Sequence, residues 1–187
     1  MDLEQALYEE RLRFYLRQKG GYTFLFAGAA YWGALAVAGA MLPLQTWILV
    51  AFFGSYVIFP LSWALSVAAG INIMERSAAG GVVGPAFVGM MIFWPMAVLA
   101  FWSAPELVAP IMAIGMAIHW PVIGWTYGRW ELFSAHAVAR ALIVPMLWLS
   151  EPDARLVWIP ASVAFFYLLT AACILVDLRE MRAGRGA

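Results

Sequence analysis

Residues 22–74 read YTFLFAGAAYWGALAVAGAMLPLQTWILVAFFGSYVIFPLSWALSVAAGINIM, a stretch of 53 residues without Asp, Glu, Lys or Arg. Three later runs are equally free of these residues: Ser77–Pro105, Leu107–Gly128 and Leu156–Val176. Each run exceeds the roughly 20 residues that a helix needs to cross a hydrocarbon layer about 30 Å thick. Lipid offers no partners to unpaired amides, and the alternating pattern of a membrane barrel is absent, so the runs predict membrane-spanning helices.

The composition leads to the same prediction. Of 187 residues, 65% are hydrophobic and 12% are charged, and the mean hydropathy is +0.83. Soluble domains average about 25% charged residues. We therefore expect membrane lipid to surround the chain. The formal net charge is zero, so the charge balance gives no indication of a nucleic-acid partner, and none is predicted.

The uncharged runs divide the chain into three parts and predict an all-α integral membrane bundle of six transmembrane helices. Residues 1–21 predict an amphipathic helix, which either lies on the lipid headgroups or serves as a docking arm for a partner. Residues 22–177 form the predicted transmembrane domain, and residues 178–187 form a basic cytoplasmic tail. The six predicted spans are Tyr22–Leu42, Trp47–Ala69, Val82–Ser103, Leu107–Gly128, Glu131–Ser150 and Arg155–Val176.

The basic residues predict how the bundle is oriented. With six spans, both termini and the second and fourth connections share one side, and that side holds nine basic residues. These are Arg11, Arg13, Arg17, Lys19, Arg76, Arg129, Arg179, Arg182 and Arg185. The opposite side holds only Arg155. Because Lys and Arg accumulate on the cytoplasmic side, we predict a multi-pass protein of the cell membrane with both termini in the cytoplasm.

Prolines and tryptophans suggest an irregular bundle. Nearly every predicted span contains a proline, and each proline removes a backbone donor and bends its helix. Such bends are found both in helices that move and in ordinary bundles, and the pattern leaves both open. The prolines are Pro60, Pro85, Pro95, Pro121, Pro145 and Pro160. The tryptophans Trp63, Trp94, Trp120 and Trp125 fall deep in the spans and are expected to pack between helices or line a cavity.

Apart from residues at the span ends, Arg140 is the only Lys, Arg, Asp or Glu inside a predicted span, where ionisable residues are expensive and mark functional sites by default. Two interpretations are open. In the structural one, the side chain leans toward the cytoplasmic surface, or bonds the carbonyls near Ala141 that Pro145 leaves free. In the functional one, it contacts a substrate or anion. His136 lies one turn further inward on the same face and is expected near the headgroups as a polar lining residue.

His119 is predicted at about the depth of Arg140, but its helix runs in the opposite direction. Its side chain is therefore expected to lean outward, so that the two need not meet. A neutral histidine packed against Trp120 or Tyr127 is one interpretation. A proton-relay or ligand role is the other, because histidine titrates near physiological pH.

No motif for metal binding or catalysis is recognisable. Two histidines and a distant Cys173 supply too few ligands for zinc, and the spans contain no carboxylate pair and no Gly-x-Ser-x-Gly sequence. We predict no metal, no cofactor and no catalytic residue, and consider an enzyme less favoured than a protein without catalysis.

The segment Ala117-Ile118-His119-Trp120-Pro121-Val122-Ile123-Gly124-Trp125-Thr126-Tyr127 resembles the most recognisable part of a family of small bacterial multi-pass membrane proteins of unknown function. In that family an Ala-His pair precedes Pro and then Trp-x-Tyr, whereas here Ile118 separates Ala117 from His119. The resemblance implies a multi-pass fold over most of the chain and no assigned activity. It also draws attention to His119 and Tyr127.

Three functions are compatible with these features. The leading hypothesis is a small transporter or channel-like protein. Because six short spans enclose little volume, a pore would be built by a homo-oligomer. Its candidate substrate or proton pathway residues are His119, Arg140, His136, Trp125 and Tyr127. The alternative is a membrane scaffold or assembly partner without a small-molecule site. The third is an enzyme acting on lipid headgroups near Arg76 and Arg129.

Overall fold

The computed structural model describes residues 2–75 and 77–184, and this part of the chain contains helices and turns but no β-strand. The predicted all-α class is confirmed. Arg76 and Arg185, which were counted in the charge bias, lie outside the described residues. The helices are α1 Leu3–Arg17, α2 Tyr22–Gly39, α3 Leu44–Gly54, α4 Ile58–Ala68, α5 Val83–Met91, α6 Trp94–Ser103, α7 Val108–Gly115, α8 Trp120–Thr126, α9 Trp130–Ser150 and α10 Arg155–Ala183.

Within the described residues, six helical segments are long and apolar enough to cross a membrane by length and composition. They are Lys19–Gly39, Leu44–Ala68, Ala79–Ser103, Pro105–Thr126, Trp130–Ser150 and Arg155–Ala183. The predicted number is confirmed, and the bounds agree within about one helical turn except at the end of the sixth segment. That segment continues beyond Val176 because, after Asp177, residues 178–183 (Leu, Arg, Glu, Met, Arg and Ala) are all good helix formers.

The first, fifth and sixth segments contain the unbroken helices α2, α9 and α10, which we call the continuous half. Helix α2 runs along α10 over much of its length. Two glycines of α2 permit this approach. A Cβ on Gly28 would lie 2.8 Å from the Tyr167 ring, and a Cβ on Gly39 would overlap the Leu156 carbonyl. Small residues at such contacts let helix backbones pack closely.

The second, third and fourth segments are each divided near their middle, and we call them the divided half. The breaks lie at Ser55–Val57, at residues 92–93 and at residues 116–119. The second and third of these breaks are neighbours, because a Cβ on Gly115 would overlap the Phe93 ring. The divided half therefore has two adjacent points at which the regular helix ends and begins again.

Proline accounts for only part of this division. Pro95 and Pro121 lie in the first turn of α6 and α8, where the missing N–H is not needed by the helix. Pro145 and Pro160, however, lie inside α9 and α10, and both helices continue through them. An interruption therefore adjoins Pro95 and Pro121 in the divided half, whereas Pro145 and Pro160 interrupt neither helix of the continuous half.

Helix α1 packs across one end of the bundle, which we call the basic end. Phe14 and Tyr15 are buried there. Arg17 pairs with Glu75 of the second connection, with 2.6 Å between Nε and Oε1. At the same end Arg129 of the fourth connection pairs with Asp177 of α10 at 2.9 Å. The described basic residues that were assigned to one side thus lie together, whereas Arg155 begins α10 at the other end.

Candidate functional site

A cavity of about 700 Å³ lies between α1 and the divided half, close to the basic end. Its walls are mostly aromatic and methionine side chains, among them Phe87, Met90, Trp94, Met116 and Trp120. The volume falls within the range of about 300–1,000 Å³ that is common for small-molecule sites. The wall chemistry favours an apolar molecule or the apolar part of a larger one.

One side of this cavity opens between α4 and α5. The lining residues Tyr56, Phe59 and Met91 are 76%, 57% and 46% exposed, so they also form part of the outer surface. Helix α4 packs on α2, α5 packs on α8, and residues of both α4 and α5 line the cavity, so we call the exposed part of the cavity between them the cleft. A molecule that travels along the apolar outer surface of the bundle can reach the cavity through this cleft.

His119 reaches the cavity wall from the break in the fourth segment. Residues 116–119 form a turn, and His119 is the last residue before α8. Its ring lies between those of Phe87 and Trp120, with both centroids at 4.8 Å. The ring makes no hydrogen bond within residues 2–75 and 77–184, and its Nδ1 atom is buried without a partner.

Arg140 lies behind this wall and is completely buried. Its guanidinium donates to the hydroxyl of Tyr167 at 3.2 Å, to Nε2 of His136 at 3.3 Å and to the Ala113 carbonyl. The same group lies over the rings of Trp32 and Tyr167, at 5.7 and 5.2 Å from their centroids. Neutral acceptors and aromatic faces thus surround a full positive charge.

The break in the fourth segment creates the Ala113 acceptor. In a regular helix the Ala113 carbonyl would receive the amide of Ala117. Here the Ala117 amide donates instead to the Ile114 carbonyl, 2.9 Å away, as the chain tightens before Pro121. The Ala113 oxygen is left without that helix partner, and Arg140 donates to it. The break in the fourth segment therefore supplies an acceptor for the buried arginine.

His136 joins the same network from the preceding turn of α9. Since Arg140 can only donate, His136 Nε2 must accept and its Nδ1 must carry the proton. Nδ1 then donates to the Thr170 hydroxyl at 3.0 Å, and that hydroxyl donates to the Phe166 carbonyl at 2.8 Å. The chain of bonds ends on α10 and holds the histidine neutral.

Tyr167 connects this network with the cavity. Its ring lines the cavity, packs on His136 with centroids 4.8 Å apart, and lies against Gly28. Its hydroxyl oxygen accepts from Arg140. The side chain therefore separates the buried guanidinium from the open space and touches both.

Comparison with known proteins gives one finding. A model of the family described as "Family of unknown function (DUF7010)" matches residues 7–177. The chain belongs to DUF7010. No curated protein and no solved structure matches it. The resemblance around Ala117–Tyr127 predicted a family of unknown function, and this part is confirmed; a bacterial source stays a prediction.

The five predicted site residues of the DUF7010 chain fall into three places. His119 and Tyr127 line the cavity. Arg140 and His136 lie together behind its wall. Trp125 lies elsewhere: it is 38% exposed, and the guanidinium of Arg11 in α1 stacks on its ring at 4.5 Å. The structure therefore groups four of the five residues and separates Trp125 from them.

Several expectations about these side chains were wrong. Arg140 does not bond carbonyls near Ala141, because the broken fourth segment offers it the Ala113 carbonyl; it does bond His136, one turn nearer the basic end, but stays fully buried. His136 is not an outlying lining residue, since it is 3% exposed and bonded to α10. As expected, His119 and Arg140 make no direct contact. They are linked indirectly, because Trp120 packs against both His119 and His136, the partner of Arg140.

Two residues of the DUF7010 site were missed from the sequence. Tyr167 and Thr170 carry the contacts between the buried arginine, its histidine and α10. A possible signal was their spacing of three, which puts both on one face of a helix, but ordinary apolar helices show the same spacing. Among the deep tryptophans, Trp63 also differs from expectation, since it is 55% exposed on the outer surface.

The headgroup-enzyme hypothesis depended on Arg76 and Arg129. Arg76 lies outside the described residues. Arg129 uses Nε and one terminal nitrogen on the two carboxylate oxygens of Asp177, at 2.9 and 3.2 Å. This guanidinium therefore joins the fourth connection to α10.

Proposed function

We propose that this DUF7010 protein is a multi-pass protein of the cell membrane, with both termini in the cytoplasm, that binds and moves a lipid-soluble small molecule. The cavity beside His119, open between α4 and α5, is the observation that carries this proposal. Membrane lipid is both the surrounding solvent and the source of the ligand.

The membrane setting rests on the six apolar segments and on charge. Large apolar side chains such as Phe53, Trp102 and Leu149 are 69%, 79% and 72% exposed, which suits lipid and not water. The basic end collects the described cationic residues outside the segments, as the cytoplasmic side of membrane proteins does.

The division of three segments supports a transport role over a purely structural one. Transporters commonly build their binding sites where discontinuous helices meet, because broken backbone is tolerated only beside a cavity or inside protein. Here the breaks at Ser55–Val57, residues 92–93 and residues 116–119 contribute to or adjoin the cavity. The scaffold alternative and the homo-oligomer remain predictions without a specific observation in their favour.

The first experiment asks whether an alkyl chain occupies the cavity. The protein in nanodiscs is photolabelled with stearyl alcohol that carries a diazirine on its chain, and labelled residues are mapped by mass spectrometry. We expect labels on α5 and on Met116. The Val83→Trp substitution places an indole in the cavity wall and is expected to remove them. Val88→Trp, on the same helix but 68% exposed, is the matched control and should keep them.

The second experiment asks whether binding leads to movement. Proteoliposomes receive an NBD-labelled single-chain amphiphile, and dithionite reports how fast the label crosses the bilayer. We expect the wild-type protein and Val88→Trp to accelerate crossing, and Val83→Trp and His119→Ala to lose that acceleration. Wild-type crossing at the rate of empty liposomes would overturn the transport proposal, and labels confined to the outer surface would overturn the binding site.

A further inference from the structure

We propose that the ligand of this cavity is a single-chain amphiphile with an anionic oxygen head, a carboxylate or a phosphate, held at Tyr167 and His119 under the charge of Arg140. This inference rests on the proposed function and specifies its ligand class. Three observations support it: an unused proton, an unbalanced charge and an unpartnered imidazole.

The unused proton belongs to Tyr167. A tyrosine hydroxyl can accept and donate, whereas arginine can only donate. The Tyr167 oxygen therefore accepts from Arg140, and its own proton remains available. No acceptor for that proton is found in the described part of the chain, although the side chain is only 4% exposed. A ligand oxygen in the cavity would be its natural acceptor.

The unbalanced charge belongs to Arg140. None of the ion pairs within residues 2–75 and 77–184 involves it, and its Nε atom is buried without a partner. A buried charge is ordinarily paired, and inside a membrane protein such a residue commonly marks the path of a charged ligand. An anion beyond Tyr167 would be attracted by the guanidinium and would polarise the hydroxyl between them.

The unpartnered imidazole is that of His119. It lines the same cavity, and both His119 and Tyr167 pack on Trp120. The ring centroids are 4.8 Å apart for His119 and 5.8 Å apart for Tyr167. Its flanking rings fix the imidazole plane without satisfying its nitrogens. A neutral histidine presents one N–H donor, so the two side chains together can bind one oxygen-rich head.

The remaining walls argue for a single apolar tail. Phe87, Met90 and Trp94 line the space, and the cleft at Tyr56 and Phe59 leads to the outer surface. Methionine and aromatic side chains adapt to flexible chains and offer no strong polar contacts. A head at Tyr167 and His119 with its tail toward the cleft would match polar to polar and apolar to apolar.

The test compares heads on one tail. Stearate, stearyl phosphate and stearyl alcohol compete for the cavity against the photoreactive stearyl alcohol in nanodiscs. We expect at least one anionic amphiphile to compete about tenfold better than the alcohol, as hydrogen bonds to charged groups are stronger than neutral ones. Whichever anion is preferred identifies the head as carboxylate or phosphate. Equal competition by all three heads in the wild-type protein would overturn the inference.

Tyr167→Phe removes only the hydroxyl and is expected to reduce the preference for the anion to about twofold or less. Tyr56→Phe removes the hydroxyl of a tyrosine at the cavity mouth and should keep the full preference. A preference that survives in Tyr167→Phe would contradict the assigned head site. Because the readout is a ratio between heads, a general loss of packing does not imitate it. If the photoprobe never labels the cavity, the proposed function fails; if it labels but shows no head preference, only this inference fails.

Discussion

The continuous and divided halves are both built from apolar segments of about 20 residues or more, but their helices differ in regularity. In the continuous half α2 and α10 approach closely at Gly28 and Gly39, and the helices stay unbroken even through Pro145 and Pro160. In the divided half the helices stop and restart, and a cavity of about 700 Å³ opens beside the breaks.

The difference shows where each ingredient of the site comes from. The continuous half supplies the fixed polar groups, since Arg140, His136 and Tyr167 all lie on α9 or α10. The divided half supplies the space, His119 and the carbonyl that receives the arginine. The site thus draws its charge from unbroken helices and its space from broken ones.

The largest expected effect comes from Gly39→Ala in the continuous half. Its Cβ would overlap the Leu156 carbonyl, a backbone group that cannot rotate away, so α2 and α10 must separate. Overpacking of this kind costs about 1–3 kcal/mol, and a backbone clash belongs at the upper end. Thermal unfolding in detergent measures it. Gly33→Ala on the same helix has no atom within 4 Å and should be neutral or slightly stabilising. Equal stability of the two variants would mean that α2 and α10 do not pack as closely as described.

Gly115→Ala tests the divided half and should have a smaller effect. Its Cβ would overlap the base of the Phe93 side chain, which can yield only if the irregular break at residues 92–93 shifts with it, whereas Gly39 meets a backbone carbonyl between two regular helices. We expect a loss near the lower end of about 1–3 kcal/mol. Gly89→Ala on α5, with no atom within 4 Å, is the control. A loss as large as that of Gly39→Ala would show that the divided half is as rigid as the continuous one.

The sequence predicts the six segments and the basic end well, because both depend on local composition. Uncharged runs must be buried or lie in lipid, and Lys and Arg gather on one side, whatever the tertiary packing. The same reasoning fails for the carbonyl that Arg140 bonds. Depth along a helix is a local property, whereas the Ala113 carbonyl becomes available only through the break in another segment.

Residue types also do not reveal which prolines divide a helix. Pro121 and Pro160 both have apolar neighbours on either side, yet Pro121 comes directly after the turn at residues 116–119 and Pro160 lies inside α10. The difference lies in the neighbours, since α10 is held along its length by α2 while the fourth segment meets another broken one at Phe93. For the same reason His119 was recognisable as a candidate, whereas Tyr167 was not.

The smallest expected effect concerns how α1 is attached to the divided half. The Ser77 hydroxyl, in the connection between the second and third segments, donates to Glu10 at 2.7 Å. This bond, followed by the charges of Arg17 and Arg13, lowers the pKa of the Glu10 carboxyl below its ordinary value. A lowered pKa in the folded state means that the contact stabilises α1 above the ordinary glutamate pKa. The contribution is lost as pH falls through the lowered value.

Acidification should therefore loosen α1 before it affects the bundle. Hydrogen exchange of the α1 amides in nanodiscs is expected to rise as pH falls through the carboxylate range, after correction for intrinsic rates. The change should be worth no more than about 1 kcal/mol, because the ion pairs of Glu10 are partly exposed. Glu10→Gln should reduce this pH dependence, whereas Glu4→Gln, on the exposed first turn, should preserve it. An unchanged profile in Glu10→Gln would mean that burial of Phe14 and Tyr15, and not charge, holds α1 across the cavity.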